Sequence, residues 1–411
     1  MTGATQAREQ RARFRDVFAS GEWTAIWLAY LLSIAGDQLA KVALTVLVYQ
    51  RTGSPLWTAL TYALTYLPWV IGGLWLSGLA DRYPRRTVMI TCDVIRAVLV
   101  GAMALPGVPL VAMGALIFGV TLLNAPFTSA RSAERAAILT GDAYALGVAV
   151  STITNQVGTV AGFAGGGAVV AALAPRGALA IDAATFAFSA LVLRLGVRAR
   201  PAAMRRDRRQ RSVARQLGDG ARLVFRSDQL RTAMLLGWLM AFYTVPEALA
   251  VPYAVHLRGG AIAAGLVFAA GPAGNAVGSA AFGRLVPAPR RMAWAPALSV
   301  SSCAVLALCA LPLNLTASVL VFFVSGVLAA YQVAANAAFI MAVPNDQRGQ
   351  AYGLASTGLQ VSQGLAYVAA GAAALVLSPA DVIVTMGAAG ALAALWVISQ
   401  HRLHLPALPS E

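Results

Sequence analysis

Ser77-Gly78-Leu79-Ala80-Asp81-Arg82-Tyr83-Pro84-Arg85-Arg86 is the stretch where small residues, an acid and clustered arginines fall together between two long apolar runs. It reads as a tight turn between two membrane helices on the cytoplasmic side. Gly78 and Ala80 let two helix ends approach closely, and Pro84 stops the incoming helix. Asp81 can accept hydrogen bonds from the backbone N–H groups at a neighbouring helix start. Arg82, Arg85 and Arg86 then have two readings: they fix orientation as an ordinary positive-inside loop, or with Asp81 they latch a gate.

The flanking composition excludes a soluble domain, because 59% of the 411 residues are apolar and only 11% are charged. A helix needs about 20 apolar residues to cross the hydrocarbon core, and twelve such spans are expected, separated by short turns bearing Gly, Pro and Arg. Runs such as Ala112 to Val120 and Val319 to Ala330 are apolar all round, which fits helices and not the alternation of a β-barrel strand. The expected class is therefore an all-α polytopic membrane protein. A net charge of +15 would suit nucleic acid, but the arginines gather in one set of loops and not on one amphipathic face. Only Arg51, Arg176 and Arg258 occupy the alternate loops, so both termini and the central linker are expected in the cytoplasm. The N-terminus has no small-residue cleavage site after a short apolar core, and the first span is expected to anchor permanently.

Several residues inside the spans can carry chemistry. Asp37 and Lys41, the sole lysine, stand four apart on one face of the first span, where they can pair as a strut or serve transport. The second span carries Tyr62, Tyr66, Pro68 and Trp69, suited to a kinked helix lining an aromatic cavity, while Trp57 and Trp75 read as interfacial aromatics. Asp93 and Arg96 lie roughly 9 and 14 Å into the third span at 1.5 Å per residue. Asp182, at the opening of the sixth span, is expected near the outer surface. Arg131, Glu134 and Arg135 read as a largely solvated hairpin. In the fifth span Gly158, Gly162, Gly166 and Gly167 follow small-xxx-small spacing, which permits close helix contact. In the seventh span Glu247 follows Pro246 at a depth like that of Asp37, and a helix break beside an acid reads as a site. Tyr331, Gln332 and Asn336 share about one face of the tenth span and can bind a ligand or join helices.

The order small-x-Leu-Ala-Asp-Arg-x-x-Arg-Arg between the second and third apolar segments resembles the signature loop of the major facilitator superfamily. Ser77 and Pro84 stand where that family usually has glycines. The glycines from Gly158 to Gly167 are similar to the motif of the superfamily's antiporters, with Phe163 in place of its proline. Ile181-Asp182-Ala183-Ala184-Thr185-Phe186 resembles the macrolide, siderophore and drug exporter branch. The resemblance implies two pseudo-symmetric lobes of six helices built from parallel repeats. It also implies a charge network joining Asp93 to Arg85 or Arg86, and the loop Pro344 to Gln350 as the partner of Asp81.

The expected organisation is a tail over residues 1–21, a six-helix lobe over 22–197, a basic linker over 198–228, a second lobe over 229–402 and a tail over 403–411. An amphipathic helix on the inner leaflet is expected from Ser212 to Phe225. The expected function is export of a small amphipathic organic compound by proton antiport across the cytoplasmic membrane, by a monomer, with Asp37 and Glu247 as the acids that bind the proton. The alternatives are a proton-coupled importer or lysolipid flippase of the same fold, or a transport-dead sensor. Cys92, Cys303 and Cys309 fall inside spans and read as packing residues, and no metal spacing, nucleotide loop or nucleophile–base set is seen. Neither cofactor nor enzymatic activity is expected, and nucleic acid is not an expected partner.

Overall fold

The computed structural model describes residues 14–76, 78–201, 213–344 and 347–400, and all regular structure among them is helical. Among these residues eight helices are long and apolar enough to cross a bilayer, and the pair Asp228–Ala248 and Ala250–His256, bent by 46°, makes a ninth span. The 56-residue helix Gly141–Gly196 is two spans, because Ala174 (φ 59°, ψ 167°) leaves helical geometry directly before Pro175. The broken second span, Pro55–Ala63 with Leu67–Trp75, and the more polar Arg348–Ala373 complete twelve.

Local chemistry explains where these rods begin, end and break. The Ser20 hydroxyl accepts from Trp23 N at the start of Gly21–Thr52, and Gly53 closes that helix at φ 61°. Ser54, Ser227 and Asn314 cap later starts in the same way. Pro68 lacks an N–H and its ring crowds the carbonyl of Leu64, so the second span breaks over residues 64–66. Pro246 and Pro252 likewise fragment the seventh span at Thr244 and Leu249.

Chain reversals place residues 14–20, 82–85, 139–140, 197–201, 213–227, 286–287, 343–344, 347 and 400 on one face, here called proximal. The turns at 53–54, 105–109, 174, 257–260, 311–314 and 374–378 lie on the other, distal face. The two halves repeat one another in their contacts. Gly162 packs so closely on the first span that an added Cβ would lie 2.8 Å from Ala35 O, and Gly358 packs in the same way on Trp238 of the seventh. Between the halves, the fifth span meets the eighth where Gly167 lies 2.9 Å, from an ideal Cβ, off Gly265 Cα. The eleventh meets the second where Gly371 lies against Leu56 and Ala59. Both crossings sit in the distal half of the bundle, so the halves close there and diverge toward the proximal face.

Two expectations need correction. Residues 124–138 form a helix that continues the fourth span, not a solvated hairpin: Glu134 is buried, and Arg131 stacks on Tyr30 at 3.4 Å from the ring centre. Glu134 is held there because Arg200 bridges it to Glu22, whose Oε2 lies 2.6 Å from Arg200 Nη2. The hydrogen bond from Arg200 to Glu22 raises the affinity of that guanidinium for its proton. Asp182 is not near the distal surface, because the sixth span starts at Pro175 and carries it two turns inward to full burial. Trp57 and Trp75 are exposed. The helix Val213–Arg226 covers nearly all of the expected amphipathic segment.

Candidate functional site

A cleft runs from the middle of the bundle to the proximal face between the two halves. Its first cavity, about 450 Å³, is bounded by the first, second, fourth and sixth spans and lined by Asp37, Lys41, Tyr66, Trp69, Arg131 and Asp182. A second, about 270 Å³, shares Lys41 and Tyr66 with the first and is closed on the other half by Glu247. A third, about 490 Å³, continues toward the proximal face past Gln332 and Asn336.

At the level where the cavities meet, the two halves are joined by a hydrogen bond. Tyr62 Oη donates to Glu247 Oε2 at 2.6 Å, and lies 3.2 Å from Tyr66 Oη. Tyr62 lies in the last turn before the break at residues 64–66, and Glu247 in the short segment between the breaks at Thr244 and Leu249. Tyr367 of the eleventh span packs its ring 5.2 Å from that of Tyr62 and 5.3 Å from that of Tyr66. Its hydroxyl donates to Thr244 Oγ1 at 3.0 Å, and Gln363 Nε2 donates to Tyr367 Oη at 3.2 Å. A carboxylate, three phenols and a threonine thus form one network across the interface. Lys41 Nζ stands 5.2 Å from the Tyr66 ring centre, a cation over an aromatic face.

Asp37 and Lys41 share the first cavity, but no ion pair within 4.0 Å joins them among the described residues. Of the two readings, the paired strut is not what is seen: Lys41 lies over the Tyr66 ring and lines a cavity with Glu247. Tyr62 is buried and lines none of these three cavities, whose aromatic wall includes Tyr66 and Trp69. Tyr331 is also fully buried, and donates to Leu236 O at 3.1 Å. Gln332 Nε2 reaches Gly237 O at 3.1 Å from the edge of the third cavity, so these two residues join the tenth span to the seventh.

The charge network of the third span is not the one expected. Asp93 Oδ1 lies 3.6 Å from Arg96 Nη1, and Asp93 Oδ2 accepts from Ser189 Oγ at 2.6 Å. Arg96 is fully buried, sits between the rings of Phe127 and Phe186, and donates to Asn124 Oδ1. Arg85 instead approaches Glu134 Oε2 at 3.9 Å and donates to Ala133 O at 3.0 Å, while Arg86 donates to Arg194 O. Their side chains leave from the first turn of the third span and bind neighbouring helix ends, two turns short of Asp93. Asp81 and Arg82 are exposed on the proximal face beside Gly78, and neither makes an ion pair among the described residues. Ser77, Asn345 and Asp346 lie outside the described residues.

The glycine motif divides between two partners. Gly158, Gly162 and Gly166 face Ile34, Ala35 and Leu39 of the first span, whereas Gly167 faces Ala261 and Gly265 of the other half. A Cβ on Gly167 would come within 2.7 Å of Ala261 O, so the close approach needs glycine.

A family model described as Major Facilitator Superfamily matches residues 26–366. The chain belongs to the major facilitator superfamily. Solved structures of this fold align over nearly the whole chain. A bacterial homologue of the human lysosomal transporter Spinster, inward-facing and unoccupied, is 15% identical over 93% of this chain and 95% of its own, with TM-score 0.67. A POT family transporter in complex with 5-aminolevulinic acid is 11% identical over 92% and 96%, with TM-score 0.73. The nucleoside transporter NupG is 14% identical over 92% and 98%, with TM-score 0.69. No match was found among curated protein sequences. The protein is thus a multi-pass membrane transporter of the major facilitator fold and not an enzyme. Sequence reasoning missed Asp182, Thr244, Gln363 and Tyr367 as parts of its interior polar networks.

Proposed function

We propose that this superfamily member exports a small amphipathic organic compound in exchange for protons. The observation that carries the reading is the 2.6 Å hydrogen bond from Tyr62 to Glu247, made across the interface in a wall shared with Lys41. A phenol donating to an ionised carboxylate makes a stronger bond than one donating to a neutral acid. Protonation of Glu247 therefore weakens the tie between the halves, which links a proton to the opening and closing of the cleft. Cargo and proton address the same wall in turn, as exchange requires. Tyr30, Tyr66 and Trp69 offer aromatic surface beside a few charges, a lining suited to an amphipathic molecule. The glycine motif and the resemblance to the exporter branch support the outward direction.

In this reading the Arg-rich proximal face is cytoplasmic, both termini lie on that side of the inner membrane, and the cleft described above is open for loading. Asp81, Arg82, Arg85 and Arg86 act as the gating loop. The monomer is the working unit, and residues 198–228 link the two lobes.

The test is transport by purified protein in liposomes with an imposed pH gradient, using a panel of amphipathic amines, macrolides and chelators. Gradient-driven movement opposite to the proton flow supports the proposal. Movement with the proton flow identifies an importer, flipping of lysolipid without dependence on the gradient identifies a flippase, and each overturns it.

A further inference from the structure

Asp93, Glu134 and Asp182 are buried acids that the Tyr62–Glu247 mechanism does not use, and Asp182 is the one without an arginine partner among the described residues. It has no solvent exposure, its Oδ1 lies 3.2 Å from the Thr185 hydroxyl, and its Oδ2 has no hydrogen-bond partner. An ionised oxygen left unpaired in a protein interior is far more costly than an unpaired neutral carboxyl. The charged groups facing it are few. Asp37 comes from the first span, and Asp93 and Arg96 from the third. Lys41 and Arg131 line the same cavity from the first and fourth. Arg96 already answers Asp93, Lys41 lies over Tyr66, and Arg131 stacks on Tyr30. With Asp37 adding a like charge, no cation pairs with Asp182 among the described residues, and a carboxyl left unpartnered in the interior is better accommodated with a proton than without one.

The site has been given room. A side chain at Gly36 would overlap both Asp182 Oδ1 and Thr185 Oγ1, so the glycine next to Asp37 is what lets the carboxyl lie against the first span. Asp182 also lines the 450 Å³ cavity, which gives the proton a route to water. A second neutraliser stands by, since Arg96 Nε and Nη1 are buried with no hydrogen-bond acceptor. When the proton leaves for cavity water, these N–H groups can turn from Asp93 toward the new carboxylate.

We infer that Asp182 is a second proton-binding group of the transport cycle, loaded from the cleft and separate from Glu247. Its place in a cycle rests on the transport reading, but its protonation does not and is read without any cargo. The full-length protein in lipid nanodiscs is titrated by infrared difference spectroscopy, following the C=O stretch of protonated carboxyls. Asp182→Asn is expected to remove one carboxylic-acid band, and in the parent that band should disappear on raising the pH, return on lowering it, and shift in heavy water. Gly36→Ala keeps the acid but crowds it, and should displace the same band, which gives a readout if Asp182→Asn fails to fold. Glu247→Gln should leave the band in place whatever it does to transport, so failure of the coupling reading and failure of this one are separable. No band difference for Asp182→Asn, a band that persists at every pH the protein tolerates, or a band abolished by sodium at constant pH would each overturn the inference.

Discussion

Tyr62 and Glu247 lie 185 residues apart and in opposite halves of the chain, yet the phenol of one donates to the carboxylate of the other at 2.6 Å. Each is delivered by a proline that breaks its own span, Pro68 just past Tyr62 and Pro246 just before Glu247. The bond thus lies beside two helix breaks, and it joins the halves at the depth of the cavities.

Glu247→Gln is expected to abolish proton-driven accumulation while cargo binding persists, because the amide keeps the size and can still accept from Tyr62 but cannot take up a proton. Counterflow measures the first and equilibrium binding the second, in the same liposomes. Transport against the cargo gradient at the parent rate would reduce Glu247 to a structural role.

Tyr62→Phe deletes only the hydroxyl. It leaves a buried carboxylate oxygen without its donor, a loss on the order of 1–3 kcal/mol for such a group. The state closed at the distal face should lose stability by that order. A cysteine placed near Gly371 should then be alkylated faster in the variant, and an unchanged rate would remove the bond from the closing mechanism.

Two glycines of one motif should fail in different ways. Gly162→Val forces a side chain into Ala35 O and Gln38 Cβ, both 2.8 Å from an ideal Cβ, within one half, so folded yield should fall. Gly167→Val meets Ala261 and Gly265 of the other half, and the protein can relieve that overlap by separating the halves. It should fold, with increased reagent access from the distal face. Size-exclusion yield and labelling rates distinguish the two.

Asp81→Asn should reduce transport several-fold with little change in expression or in the thermal stability of the proximal-open state, since Asp81 is exposed here. A latch that engages only after the cleft shuts has that signature. Equal transport by variant and parent would remove the latch.

Single cysteines beside Arg51, Arg176 or Arg258 should react with an impermeant reagent in intact cells, and cysteines within residues 205–211 should not. External labelling of the latter would invert the assigned orientation.

Apolar length and arginine placement are properties of each segment alone, which is why the rods and their order are legible in the sequence. Breaks at Pro68, Pro246 and Pro252 are equally local. Partner choice is not. Asp93 and Arg96 are neighbours on one helix, and their pairing is a matter of spacing, but the attraction of Arg85 to Glu134 depends on how the fourth span passes the third. The depth of Asp182 escapes a sequence reading because Arg176 marks the loop but not its length: the reversal is the single residue Ala174, and the sixth span resumes at Pro175, two turns before Asp182. Thr244, Gln363 and Tyr367 are neutral polar residues in long apolar runs, where nothing in the pattern says which face turns inward.

The meeting of Gly167 with Gly265 has a mechanical meaning. Backbone lies on backbone at that point, flanked one turn away only by the flat, stacked rings of Phe163 and Phe268, so one half can roll on the other about it. At 1.5 Å per residue the fifth span extends roughly 39 Å from Gly167 back to Gly141, and a roll of about 10° would sweep its far end through ~7 Å. The fulcrum lies near one end of a long lever, so a slight adjustment at two glycines is magnified into a passage wide enough for a small molecule.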